Sequence, residues 1–158
     1  MCCLTQTVQM RVIGDISGIL QRKGPGIWST TPKALVFDAI RLMASRNVGA
    51  LPVLEDEKLV GIISERDYTR KVILKGRSSR ETEVREIMSR SVISVRPDQS
   101  VEECMRIMTE ARIRHLPVLE GDRMAGIVSI GDLVKWIIEA QSGTIDQLEG
   151  YITSQYPG

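Results

Sequence analysis

The chain has 158 residues, 42% of them apolar, and a formal net charge of +1, enough for one compact domain or two tightly packed half-domains. Acids and bases are interleaved, which gives no case for electrostatic binding of nucleic acid or of an anionic membrane. Apolar stretches end in Gly, Pro or charge well short of the roughly 20 residues a bilayer requires, and with aromatics at 4% the core is aliphatic.

In chain order, the N-terminus lacks the basic start, apolar run and small-residue cleavage site of a secretory signal. Cys2 and Cys3 sit at this terminus, and with Cys104 they make an odd count without metal-ligand spacing. That argues against a disulfide framework and fits a reducing cytoplasm. A short extended segment, Ile27 to Thr30, precedes Pro32. Val36, Ala39, Ile40 and Met43 then fall at i, i+3, i+4 and i+7, the stripe of an amphipathic helix. Two β-rich runs follow, Val48–Leu54 and Leu59–Ile63, joined by the charged turn Glu55-Asp56-Glu57-Lys58, and they read as a hairpin. A helix over Arg66–Leu74 closes the unit, and polar residues from Lys75 to Glu86 form the natural linker.

The rest of the chain repeats this plan. Residues 49–67 and 114–132 are identical at nine of nineteen positions, at a constant offset of 65. The offset also pairs Pro32 with Pro97, Val36 with Val101 and Met43 with Met108, so the duplication is secure. The second helix carries Val101, Cys104, Met105 and Met108, with Ser100 and Glu103 in the spacing of a capping box. The second hairpin joins Ile113–Leu119 to Met124–Val128 through Glu120-Gly121-Asp122-Arg123, and Asp132–Ala140 closes the copy. The expected fold is α+β, two β-α-β-β-α units packed sheet against sheet over a shared core, because one unit alone would leave too much apolar face exposed. The boundaries are residues 12–75 for the first repeat, 76–86 for the linker, 87–142 for the second repeat and 143–158 for a tail. That tail has Leu148, Tyr151 and Ile152 at helical spacing.

Leu-Pro-Val-Leu, the following Gly-Ile-Ile-Ser or Gly-Ile-Val-Ser, and an Asp three residues after that Ser resemble the cystathionine β-synthase (CBS) domain family. The resemblance covers about residues 12 to 140 and is nearest to stand-alone CBS pairs. It implies two units about a pseudo-two-fold axis, usually dimerised, with ligand clefts between units. It also implies a regulatory ligand of the AMP, ADP, ATP, NAD or S-adenosylmethionine type, and no required cofactor.

Ser64-x-x-Asp67 and Ser129-x-x-Asp132 lie where the last strand of each copy hands over to a helix. A carboxylate there can accept hydrogen bonds from both vicinal hydroxyls of a ribose, as in other nucleotide folds. The helix start favours anions. The same pattern is also an ordinary N-cap; the resemblance implies the ribose role for Ser64, Asp67, Ser129 and Asp132. Arg114 and the chain's single histidine, His115, stand at a strand start as candidate phosphate contacts or as plain structural residues. The first copy has Gly49 and Ala50 there, small enough for a ligand to approach main chain that, in the family, reads the adenine edge. That difference suggests two unequal sites. Arg66, Arg70 and Lys71 follow the first motif; 66 and 70 share a helix face and could bracket a polyphosphate or form a solvated basic face. Arg77, Ser78 and Ser79 are weaker phosphate candidates in the linker. Met43, Met88, Met105 and Met108 read as core filler before a soft-metal site. Trp28 and Trp136 read as gap fillers toward a neighbour before a base-stacking platform.

Three function classes separate here. A nucleotide-sensing module, acting as a homodimer or on a protein partner, is favoured by the paired Ser-x-x-Asp motifs. A ligand-independent adaptor is kept open by the uncharged Gly49-Ala50 site and the apolar tail. An enzyme finds no nucleophile–base pair, metal cluster, P-loop or dinucleotide fingerprint to rest on.

Overall fold

The computed structural model describes residues 14–141; Cys2, Cys3 and the tail lie outside them. Helix α1 (Ile16–Lys23) comes first. Helix α2 (Val36–Arg46) follows, then the hairpin of β1 (Ala50–Glu55) and β2 (Lys58–Ser64), then the short helix α3 (Glu65–Tyr68), continued by a π turn over Thr69–Ile73. Helix α4 (Val84–Ile87) leads into the second copy, made of α5 (Val101–Ala111), β3 (His115–Glu120) and β4 (Arg123–Ser129). A final helix, α6, covers 130–141.

The expected apolar stripes are what hold α2 and α5 down. Val36, Ala39 and Met43 are buried on one, and Val101, Cys104 and Met108 on the other. The Ser100 hydroxyl accepts from the Glu103 N–H at 3.1 Å and starts α5. Burial, then the charge of Glu103, pushes the Cys104 thiol up to about 11, so it stays protonated and inert at neutral pH. The two hairpins share one register: Ala50 faces Ser64, His115 faces Ser129, and each ladder shifts one residue after Val53 or Val118. The extended segments ahead of α2 and α5 shrink to single parallel bridges, Thr30 to Val53 and Val95 to Val118.

The shared core that the sequence suggests is not what forms. Buried side chains fall into two clusters, one around Met43, Leu51 and Ile63 and one around Met108, Leu116 and Val128. What joins the halves is an exchange of the segments that lead into them. Ile16 and Ile19 of α1 are buried in the second cluster, and Val84 and Ile87 of α4 in the first. The hydrogen bonds repeat in register. Ile16 and Ser17 donate N–H to the carbonyls of Gln99 and Pro97, while Val84 and Arg85 donate to those of Ala34 and Pro32. The stretch expected as linker therefore turns back onto α2, where Val36 and Phe37 donate to the carbonyls of Thr82 and Ser79.

This exchange explains why a glycine recurs in β2 and β4. A Cβ on Gly61 would lie 2.7 Å from Met88 Sδ and 3.0 Å from the Ser89 carbonyl oxygen, and one on Gly126 would lie 2.6 Å from Leu20 Cδ2. Each strand is notched to seat a side chain from a lead-in segment. At Gly126 the obstacle is the end of a flexible leucine, but at Gly61 it includes backbone. Gly61→Ala is expected to destabilise by about 1–3 kcal/mol, the usual cost of overpacking, and Gly126→Ala by less. Denaturant midpoints of the two variants check this; equal losses, or none at Gly61, would contradict it.

Candidate functional site

Each Ser-x-x-Asp motif begins a helix, and its side chains are used for that first. Ser64 N–H and Oγ both donate to Asp67 Oδ2, at 2.9 and 3.0 Å, and the Asp67 N–H donates back to Ser64 Oγ. Ser129 and Asp132 form the same reciprocal pair, with the Ser129 N–H on Asp132 Oδ2 at 2.8 Å. These are capping boxes, so the local reading of the motif is realised at both places. The box also fixes each carboxylate's rotamer at the mouth of a helix.

Each carboxylate also carries a lysine. Lys71 sits 3.0 Å from Asp67 Oδ1 and donates to the Ile87 carbonyl. Lys23 sits 2.8 Å from Asp132 Oδ2 and donates to the Ile127 carbonyl. Burial pushes the Asp132 carboxyl up, but the hydrogen bonds from Lys23 and the Ser129 N–H outweigh it and leave the group below its ordinary value.

A cleft of about 900 Å³ opens between the halves at the first motif. It is lined by Ser64, Arg66, Asp67 and Arg70 from one half and by Arg114 and His115 from the other, with Gly49 and Ala50 between them. The two unequal sites expected around positions 49–50 and 114–115 are thus one neighbourhood. The His115 ring lies against Gly49, where a Cβ would be 3.3 Å from it. The small residue makes room for the imidazole, and the Gly49 carbonyl already accepts from the Glu65 N–H.

Ser129 and Asp132 do not line this cleft, nor do Lys71, Arg77, Ser78 and Ser79. Arg77 is paired with Glu86 at 2.6 Å, and Ser78 Oγ accepts from the Arg80 N–H. Trp28 is exposed with the Arg46 guanidinium 3.8 Å from its ring centre, and Trp136 packs on the second core beneath Arg22. Sequence reasoning missed Arg112, Ser89, Ser91 and Thr109, which also line the cleft. Arg112 is the left-handed residue that ends α5, as Asn47 ends α2. That repeat position was a signal for it. Arg66, Arg70, Arg112 and Arg114 all border the cleft, and among the described residues none has a carboxylate partner. The Arg66 guanidinium donates to the Arg112 carbonyl and so reaches across from one half to the other. No group of three or more potential metal ligands occurs among the described residues, and no described helix is long and apolar enough to cross a membrane.

The family model for the CBS domain matches the chain twice, over residues 25–73 and 84–139. The chain is 40% identical to a mitochondrial CBS domain-containing protein of Arabidopsis thaliana, over 96% of this chain and 80% of that one. A solved CBS-domain protein of Burkholderia ambifaria superposes with a TM-score of 0.78 at 48% identity, covering 81% of this chain and 96% of that one. The CBS domain pair of protein MJ0100, solved in complex with 5′-methylthioadenosine and S-adenosyl-L-methionine, superposes at 0.69 and 26% identity, covering 78% of this chain and 94% of that one.

Burial holds the His115 imidazole below its ordinary value; Lys23 and Arg114 add to this, while Asp132 opposes it. The folded state therefore takes up its proton later than the unfolded chain does. Stability contributed by His115 is present above the unfolded value, about 6.5, and is lost as pH falls below it. Since this is the chain's single histidine, unfolding free energy should drop as pH falls through the unfolded value of about 6.5, and His115→Gln should flatten that slope. An unchanged slope in the variant would contradict the placement of the ring.

Proposed function

The chain belongs to the CBS domain family, and we propose that it is a regulatory module whose first cleft binds a phosphate-bearing adenosine nucleotide. The observation that carries this reading is the convergence of Arg66, Arg70, Arg112 and Arg114, all without carboxylate partners among the described residues, on the cleft that contains Ser64 and Asp67. Guanidinium groups that line one space without carboxylate partners suit phosphate oxygens, which they can bind in bidentate fashion. A carboxylate pre-set by its capping box suits the two ribose hydroxyls. That the MJ0100 pair was solved with two adenosine compounds supports the adenosine part. The arginines favour ATP or ADP over a sulfonium ligand such as S-adenosylmethionine, whose positive charge they repel.

Regulation follows from where the cleft lies. Its walls belong to both halves, so a bound nucleotide bridges them and favours one relative packing. The coupling available to such a ligand equals its difference in affinity between the two packings, typically about 1–3 kcal/mol. A homodimer would give that shift an outlet. Ile73 and Ile138 occupy equivalent repeat positions and are both more than half exposed, which supports burial against a second copy. Light scattering at the monomer mass would sink the dimer.

Thermal unfolding with ATP, ADP, AMP, NAD and S-adenosylmethionine tests the ligand class. At about a hundred times its dissociation constant a ligand adds about 2.7 kcal/mol, several degrees at this size. The expected order is ATP and ADP above AMP, with no rise from S-adenosylmethionine. Asp67→Asn keeps an acceptor for the Ser64 N–H but loses the charge, and should weaken binding about 10- to 100-fold. A larger shift with S-adenosylmethionine than with ATP would overturn the phosphate reading. No shift with any ligand would favour a ligand-independent adaptor.

A further inference from the structure

The two lead-in segments match up to Leu20 and Met88, which fill the notches over Gly126 and Gly61. Beyond that point they part. After Met88 the chain becomes extended, and Ser89 pairs with Ile62 through backbone bonds in both directions, at 2.9 and 3.0 Å. After Leu20 the helix continues to Lys23. At Ile127, which the repeat equates with Ile62, the Lys23 ammonium stands where the Ser89 N–H stands in the first half. It donates to the Ile127 carbonyl at 2.9 Å and reaches Asp132 Oδ2 at 2.8 Å. The residue equivalent to Lys23 in the first half is Ser91, a neutral side chain that lines the open cleft. Lys71, the partner of Asp67, comes from that carboxylate's own helix turn and lies outside the cleft.

We infer that Lys23 is an internal ligand of the second ribose motif, so that each chain takes one nucleotide, in the cleft of Asp67, while the motif at Asp132 is closed. This rests on the nucleotide reading above. A ribose at Asp132 would have to displace the Lys23 ammonium from Oδ2 and leave the Ile127 carbonyl without that donor, whereas Lys71, which holds Asp67 in a similar way, is not part of the cleft wall. The extra turn of α1 thus adds to the arginine cluster in making the duplicated sites unequal.

Isothermal titration of the full chain with ATP tests it. One site is expected in the wild type, two in Lys23→Met, and one again in Lys23→Met combined with Asp132→Asn. Two sites in the wild type, or one in Lys23→Met, would overturn the closure. Absence of ATP binding by every variant would overturn the nucleotide reading and, with it, the stoichiometry. Closure itself is then judged without ligand, by following the Asp132 carboxyl carbon across pH by NMR. Lys23→Met should raise its titration midpoint, and an unmoved midpoint would show that the ammonium does not sit on Asp132.

Discussion

The constraint on which everything else rests is the exchange of lead-in segments. Four backbone N–H groups, at Ile16, Ser17, Val84 and Arg85, each find a carbonyl in the half that does not follow them directly. Four side chains go with them into those cores, Ile16 and Ile19 on one side and Val84 and Ile87 on the other. Burying each such side chain is worth about 1.5–3 kcal/mol, so neither half is complete alone. The halves can therefore keep separate cores and still be held in one register. The space left between them becomes a cleft whose two walls are fixed independently.

The same exchange sets the chemistry of the cleft. Pseudo-two-fold packing brings equivalent stretches together, so Gly49 of one copy meets the His115 ring of the other, one position past its own repeat equivalent, Arg114. A glycine at one partner position and an imidazole at the other fill a single space. Around it, the cap that starts α3 holds Asp67 in place before any ligand arrives, so little ordering is left to be done on binding. The capping role of Ser64 and Asp67 is what the hydrogen bonds show, and the proposed binding role would reuse the same geometry.

Much of this was legible from the residues. The offset of 65 carried the duplication, both amphipathic helices and both hairpins, because each is governed by a local period that sequence displays directly. The lead-in segments escaped for a specific reason. Asp15 bridges to Ser100 and Glu83 to Leu35, so these segments are related by 68 residues and an ungapped comparison at 65 passes over them. Their few apolar residues look like the edge of a linker until the other half covers them. Gly61 and Gly126 were visible as a repeat, but the side chains that require them come from those same unseen segments. At the site, Ser64 and Asp67 stood out through their motif, whereas Arg112 is marked only as the residue after a helix. Lys71 looked like a ligand cation because it sits near the motif in sequence, yet its i+4 position turns it onto Asp67 and the Ile87 carbonyl.

The two copies share one plan, and small local differences set them apart. Here the differences are an arginine cluster on one cleft and one further helical turn, ending in Lys23, on the other motif. The most direct measurement is to add ATP to the ¹⁵N-labelled protein and follow its backbone amides. Amides of residues 64–67 and 112–115 should move together at one saturating equivalent, while those of 129–132 stay in place. Equal movement at 129–132, or none at 64–67, would contradict a single nucleotide cleft built between the two halves.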